Sequence, residues 1–196
     1  MSSRVGRVAR DTKETTIEVE VDLDGTGTVD VATGVPFFDH MLDQLGRHGR
    51  LDLTVKAEGD LHIDEHHTVE DVGIALGQAL AQAWGDRAGV ERFGDAQVPI
   101  DEALTRVALD LSGRPYLVWD VTPPVPFIGT MEAHLLKHFF EAVVANARIT
   151  LHVDNVSGEN THHVYESVFK AVAVALRRAV AVTNVGAVPS TKGVLQ

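Results

Sequence analysis

Glu14-Thr-Thr-Ile-Glu-Val-Glu-Val-Asp-Leu-Asp-Gly25 and Glu102-Ala-Leu-Thr-Arg-Val-Ala-Leu-Asp-Leu-Ser-Gly113 are two versions of one pattern, 88 residues apart. Apolar and polar residues alternate in both, which is the period of a half-buried strand, and both close at a glycine turn. Outward from this pair the correspondence continues. Short second strands are predicted at Thr28 to Ala32 and Tyr116 to Val121. Helix-like runs follow, Phe37-Phe-Asp-His40-Met-Leu42 and Leu135-Leu-Lys-His138-Phe-Phe140, each with one histidine and now 98 residues apart. Third strands are expected at Leu51 to Ala57 and Ala147 to Val153, then long helices at Glu65 to Trp84 and Thr161 to Val182, at a spacing of 96. Small loop insertions account for the drift. Each half therefore reads strand-strand-helix-strand-helix, and the chain as α+β with antiparallel hairpins and helices packed on one face. Neither half can bury its sheet and helix faces alone, so the two are expected to pack together as one domain. The halves span about 10–93 and 94–186, followed by a Gly-rich tail at 187–196 that contains Pro189-Ser190-Thr191-Lys192-Gly193. Such a tail is either frayed or tied down by a ligand or partner.

The long helices open on the chain's most informative chemistry. Asp64-Glu-His66-His67-Thr-Val-Glu70 is echoed by Glu159-Asn-Thr-His162-His163-Val-Tyr-Glu166, a His-His-x-x-Glu pattern at the head of an apolar-periodic stretch. Residues three or four apart share a helix face, so either histidine of a pair can join the glutamate. The two histidines themselves diverge by roughly 100° around the axis. One ion can take a histidine and the glutamate, and the other histidine must look elsewhere. Duplication predicts two metal sites built from His40, His66, His67, Glu70, His138, His162, His163 and Glu166. Imidazole and carboxylate without thiolate suit Mn, Zn, Fe or Ni, and ligand type alone does not choose among them. Sites completed by different helices, or by different subunits, satisfy the divergence of adjacent histidines. His48, His62, His134 and His152 lack counterparts in the other half and read as surface or strand residues, although His134 shares a helical face with His138.

The chain has 196 residues, 28 of them acidic and 17 basic, for a formal charge of -11. That balance argues against nucleic acid or an anionic membrane as partner. A small anion is still compatible, because a few converging cations make a local positive site. Without cysteine there are no disulfides or thiolate sites, and without an apolar leader or a run of 18 apolar residues the expected location is the cytoplasm. Arg92, Arg114, Lys170 and Lys192, with Ser190 beside the last, are the groups that could bind a phosphate. Lys170 has the best support by pattern, four residues after Glu166 on one helix face. On this chemistry alone two other readings stand: a dinuclear metal hydrolase using a metal-bound hydroxide, and a non-catalytic metal-storage assembly.

Asp22-Leu-Asp-Gly-Thr-Gly27, Thr33-Gly-Val-Pro-Phe-Phe-Asp-His-Met-Leu42, Asp64 to Asp71, Asn160 to Glu166 and Pro189-Ser-Thr-Lys-Gly193 occur in an order that resembles the imidazoleglycerol-phosphate dehydratases of histidine biosynthesis, over essentially the whole chain. The resemblance implies a monofunctional hydro-lyase with ribosomal protein S5 domain 2-like sheets, assembled as a hollow homo-oligomer of 24 subunits. It also implies two Mn²⁺ ions per active site, held between subunits by the eight residues above. The phosphate site it implies comprises Arg92, Arg114, Lys170, Ser190 and Lys192. Gln44 would contact substrate, Asp101 would hold a substrate hydroxyl, and Glu14 would transfer the proton; by itself Glu14 reads as an ordinary strand-start residue. The implied reaction removes water from imidazole glycerol phosphate to give imidazole acetol phosphate, through a metal-bound imidazolate and a diazafulvene-like intermediate.

Overall fold

The computed structural model describes residues 4–183, 186–193 and 195. Met1 to Ser3, Asn184, Val185, Val194 and Gln196 lie outside the described residues. The first half runs β1 (Val5–Asp11), β2 (Thr15–Asp22), β3 (Val29–Ala32), α1 (Pro36–Gly49), β4 (Asp52–Gly59) and α2 (His66–Trp84). The second runs β5 (Phe93–Ile100), β6 (Ala103–Asp110), β7 (Tyr116–Asp120), a small hairpin of β8 (Phe127–Ile128) and β9 (Met131–Glu132), α3 (Leu135–Ala147), β10 (Thr150–Ser157) and α4 (Thr161–Ala179). Their sheets have the same order, β1-β2-β4-β3 and β5-β6-β10-β7.

The apolar–polar alternation of β2 and β6 is real burial. Ile17, Val19 and Val21 of β2, and Thr105, Val107 and Leu109 of β6, are all buried, and the residues between them face outward. Three expectations change. Each half begins with an extra strand, β1 or β5, that the five-element reading lacks. These are edge strands. β1 buries only Gly6 fully, and β5 buries only Gly94 and Ala96 and carries Pro99, so neither shows a strong apolar alternation. The sheets are also mixed, because β3 pairs parallel with β4 and β7 parallel with β10. A parallel neighbour needs a crossover, and α1 and α3 supply it. Finally, Ala147 ends α3 instead of starting a strand, with Arg148 in the left-handed region (φ 55°), as Arg50 is after α1 (φ 55°); α4 stops at Ala179.

The edge strands reveal how far the duplication goes. A Cβ on Gly6 would sit 1.8 Å from the Ala79 carbonyl oxygen of α2, and one on Gly94 would sit 1.9 Å from that of Ala175 in α4. Each glycine is the point at which a long helix lies directly on its sheet, which no side chain would permit.

The halves meet through their helices: α2 packs on α3, and α1 on α4. Between the sheets, Phe139 stacks on Phe169 with ring centroids 5.7 Å apart and meets Phe38 edge-on at 5.2 Å. All three are fully buried. Burying each contributes roughly 1.5–3 kcal/mol, so the seam between halves is a continuous part of the core. Crossing the helices in this way brings each lone histidine of α1 and α3 to a helix from the opposite half.

Candidate active site

The adjacent histidines are held at helix starts by short polar caps. Asp64 Oδ1 accepts from the His66 backbone N–H at 2.8 Å, and Asn160 Oδ1 accepts from that of His162 at 2.9 Å. Each satisfies one of the unpaired amides of a first turn and sets the helical phase of the two rings. On α1, Asp39 does comparable work: its Oδ1 accepts from the Thr33 amide and hydroxyl at 2.9 and 2.6 Å, and so fixes the turn ahead of His40.

Two histidine bays result. In one, His162 Nε2 lies 3.0 Å and His40 Nε2 3.5 Å from Glu166 Oε2. Their ligand atoms all fall within 4.8 Å of one another, close enough for one cation. In the other, His66 Nε2 is 3.8 Å from Glu70 Oε2, and the His66 and His138 rings are 5.2 Å apart. In each pair the histidine four residues before the glutamate, and not the one three before it, is the one that joins it. Each bay takes its lone histidine from one half and its His/Glu pair from the other.

His67 and His163 turn away from these bays. His67 Nδ1 is 3.0 Å from Asp60 Oδ2 and 4.0 Å from Glu14 Oε2. His163 Nδ1 is 2.9 Å from Glu102 Oε2, with Asp101 alongside at a left-handed φ of 45°. Hydrogen bonding to Asp60 raises the His67 pKa above the usual histidine value. The Glu102 carboxyl is drawn down to about 2, first by His163 and then by the backbone amide of Asn160.

The remaining candidates occupy two separate places. Lys170 Nζ is 2.6 Å from Glu166 Oε1, on the α1–α4 seam. Burial pushes the Glu166 carboxyl up, but the ion pair with Lys170 and the histidine contacts outweigh it and leave it below the usual range. Gln44 faces the same seam, its Oε1 3.2 Å from His48 Nε2. His48 is accordingly no simple surface or strand residue: it is half-buried on α1, and burial with the nearby Lys170 charge lowers its pKa. His134, directly ahead of α3, pairs with Glu132 at 3.0 Å, while His62 lies in an exposed loop and His152 on the outer face of β10.

Arg92, Arg114 and the tail sit at the other end of the second sheet. Arg92 forks onto both oxygens of Asp110 at 2.7 and 3.1 Å and donates to the Pro189 carbonyl at 2.8 Å, so it anchors the tail. Arg114 is exposed in the turn after β6, and the exposed Lys192 donates its backbone N–H to Ser190 Oγ at 3.2 Å. The eight residues of β6 separate this end from Asp101 and Glu102 by roughly 25 Å. One chain therefore does not bring its arginines to its own His163.

Several contributors carry no sequence signal as site residues. Asp60 lies in a loop without periodicity, and Asp71 and Thr15, joined by a 2.5 Å hydrogen bond from Thr15 Oγ1 to Asp71 Oδ2 next to Glu14, read as helix and strand positions. Glu102 alone had a pointer, as the repeat partner of Glu14.

A duplicated α+β chain with two imidazole–carboxylate bays and a carboxylate beside a third histidine belongs, by its neighbours, among the hydro-lyases. Imidazoleglycerol-phosphate dehydratase from Staphylococcus aureus superposes with a TM-score of 0.83 at 37% identity, over 91% of this chain and 99% of that one. The Pyrococcus furiosus enzyme, solved in complex with (S)-C348, gives 0.83 and 37% over 96% and 100%. The imidazoleglycerol-phosphate dehydratase from Parafrankia sp. (strain EAN1pec) is 59% identical over 98% of this chain and 100% of its own length. Residues 33–176 match the Imidazoleglycerol-phosphate dehydratase family. The chain belongs to that family and is an enzyme of the lyase class.

Proposed function

We propose that this protein removes water from imidazole glycerol phosphate to give imidazole acetol phosphate, a step of histidine biosynthesis, and that it depends on Mn²⁺. The observation that carries the reading is the repeat-related pair of groupings, His40/His162/Glu166 at the spacing of one cation and His66/Glu70 with the His138 ring 5.2 Å from that of His66, with Glu14 beside His67. A donor set of neutral imidazoles and carboxylates without thiolate fits a divalent ion of this kind. The bay at Glu166 also has the spacing for one. His67 and His163, turned outward from the bays, complete the set of eight.

Bound there, the ions would polarise the substrate's imidazole ring and so favour departure of the adjacent hydroxyl. The chain's own groups do the remainder. Glu14, more than half exposed, takes the proton from the neighbouring carbon and can return one to the departing hydroxyl as water leaves. The atoms balance: one C–H and one C–OH leave as water to give an enol, the enol hydroxyl's proton moves to carbon to give the ketone, and the carbons and phosphate are kept. Arg92, Arg114, Lys170, Ser190 and Lys192 bind the phosphate, Gln44 contacts the substrate along the seam, and Asp101 holds a substrate hydroxyl. Binding energy spent on the phosphate orients the reacting carbons without touching them.

The separation of Arg92 and Arg114 from His163 supports active sites completed by another subunit, and we infer a homo-oligomer of 24 copies on the family pattern. The test is turnover of imidazole glycerol phosphate by metal-stripped protein with and without Mn²⁺. Mn²⁺-dependent ketone formation without phosphate release supports the dehydratase. Release of inorganic phosphate instead would support the hydrolase.

A further inference from the structure

The two repeat-equivalent glutamates, Glu14 and Glu102, precede β2 and β6 at the same point of the fold, yet they do different things. Glu102 is fully engaged. Its Oε2 is 2.9 Å from His163 Nδ1, and its Oε1 accepts from the backbone amides of Glu159 and Asn160 at 3.1 and 2.9 Å. Glu14 stands 4.0 Å from the equivalent His67 and is more than half exposed. The contact to His67 Nδ1 is made by Asp60, at 3.0 Å.

Asp60 follows β4 directly, and its amide donates to the Glu14 carbonyl at 3.1 Å. The residue in the same place after β10 is Gly158. It has no carboxylate to offer, and a Cβ there would lie 2.4 Å from Val164 Cγ2 and 3.3 Å from Ala103 Cβ. Packing therefore bars an acid at 158, and the second half must draw its histidine partner from the strand ahead of β6. In the first half that position is relieved of the duty. Asp60 is only 12% exposed, and its Oδ1 is buried with no hydrogen-bond partner among the described residues. His67 is thus the side-chain partner of this carboxylate.

We infer that Asp60 and Glu102 are positioning residues, each accepting the Nδ1–H of its histidine so that Nε2 of His67 and of His163 is presented outward as a ligand atom, and that Asp60 thereby frees Glu14 for proton transfer. A carboxylate on one imidazole nitrogen fixes both the tautomer and the ring plane at the other. The assignment rests on the Mn²⁺ reading above.

The experiment is a Mn²⁺ titration followed by the EPR signal of the free ion, on the full chain with Asp60→Asn, Glu102→Gln and Glu14→Gln, and with circular dichroism to show that each variant folds. The first two variants keep side-chain size and lose the carboxylate charge; each is expected to bind Mn²⁺ about 10- to 100-fold more weakly. Glu14→Gln is expected to bind as the wild type does while losing turnover. Asp60→Ala and Glu102→Ala repeat the comparison without any acceptor and should be weaker still. Wild-type affinity in all four Asp60 and Glu102 variants would overturn the positioning role and leave the dehydratase reading intact. Equal losses at Glu14 and Glu102 would overturn the division of labour between them. Wild-type protein that takes up no Mn²⁺ would overturn the metal reading itself.

Discussion

Thr15 Oγ1 donates a 2.5 Å hydrogen bond to Asp71 Oδ2, joining β2 to α2 one residue after Glu14 and one residue after Glu70. The other Asp71 oxygen lies 3.0 Å from an Arg10 guanidinium nitrogen. Thr12 Oγ1 in turn accepts from the amides of Glu14 and Thr15 at 3.1 and 3.0 Å, so a chain of hydrogen bonds runs from the buried acid to the Glu14 backbone. In the second half Ala103 stands at the place of Thr15, and Ser167, at the place of Asp71, instead meets the Thr105 hydroxyl at 2.7 Å. The charged strut is found in the half that carries the proposed proton-transfer group. Removing one partner of a buried hydrogen bond to a charge costs about 1.5–3 kcal/mol. Thr15→Val should lower stability by that amount in urea unfolding and should reduce kcat, whereas Ser167→Ala should leave kcat near normal. An unchanged urea midpoint in Thr15→Val would refute the strut.

Glu14→Gln keeps the size of the side chain and removes its basicity. Turnover should fall by about 10²- to 10⁴-fold, the usual range for a positioned general base. Folding and oligomer size should not change. Wild-type kcat in this variant would remove Glu14 from the reaction.

Lys192→Ala and Arg114→Ala each delete a proposed phosphate contact. A charge-assisted hydrogen bond of about 1.5–3 kcal/mol corresponds to roughly a 10- to 100-fold rise in KM. Steady-state kinetics decide it: an unchanged KM in both variants would place the phosphate elsewhere.

On the proposed Mn²⁺ reading, in which the outward-turned His67 and His163 complete the sites of other subunits, a chelator should dissociate the assembly. Sedimentation velocity before and after metal removal gives the answer, and a stripped protein of undiminished size would rule out bridging ions.

Asp52 offers a pH test remote from the site. Its Oδ1 accepts from the amides of Thr26, Gly27 and Thr28 at 2.8, 3.1 and 2.9 Å, and these bonds, Thr28 foremost, hold its pKa below the usual carboxylate value. A depressed folded-state pKa contributes stability that is present above the ordinary value of about 3.9 and is lost as pH falls through the depressed one. Asp52→Asn should therefore be less stable than wild type at pH 7, and the difference should shrink as pH falls below 4. A gap that stays constant with pH would show that the carboxylate's ionisation plays no part.

The sequence by itself determined the duplication, the position of each buried central strand, the helix starts and the identity of the chelating residue types. These follow from periods of two and of 3.6 residues and from motifs spaced within one helical turn, all of which are local. It did not disclose β1 and β5, because an edge strand buries too little to need apolar alternation. The tertiary structure alone decided the rest. Which histidine joins Glu70 or Glu166 depends on the rotation of α2 and α4 on their sheets, set by the contacts at Gly6 and Gly94. That His40 serves the second half's helix and His138 the first depends on how the halves cross. Asp60 reaches His67 because β4 ends beside β2, although Asp60 and Glu14 are far apart in sequence. Local periodicity records which face of an element is apolar, and packing between distant elements decides what each polar face meets.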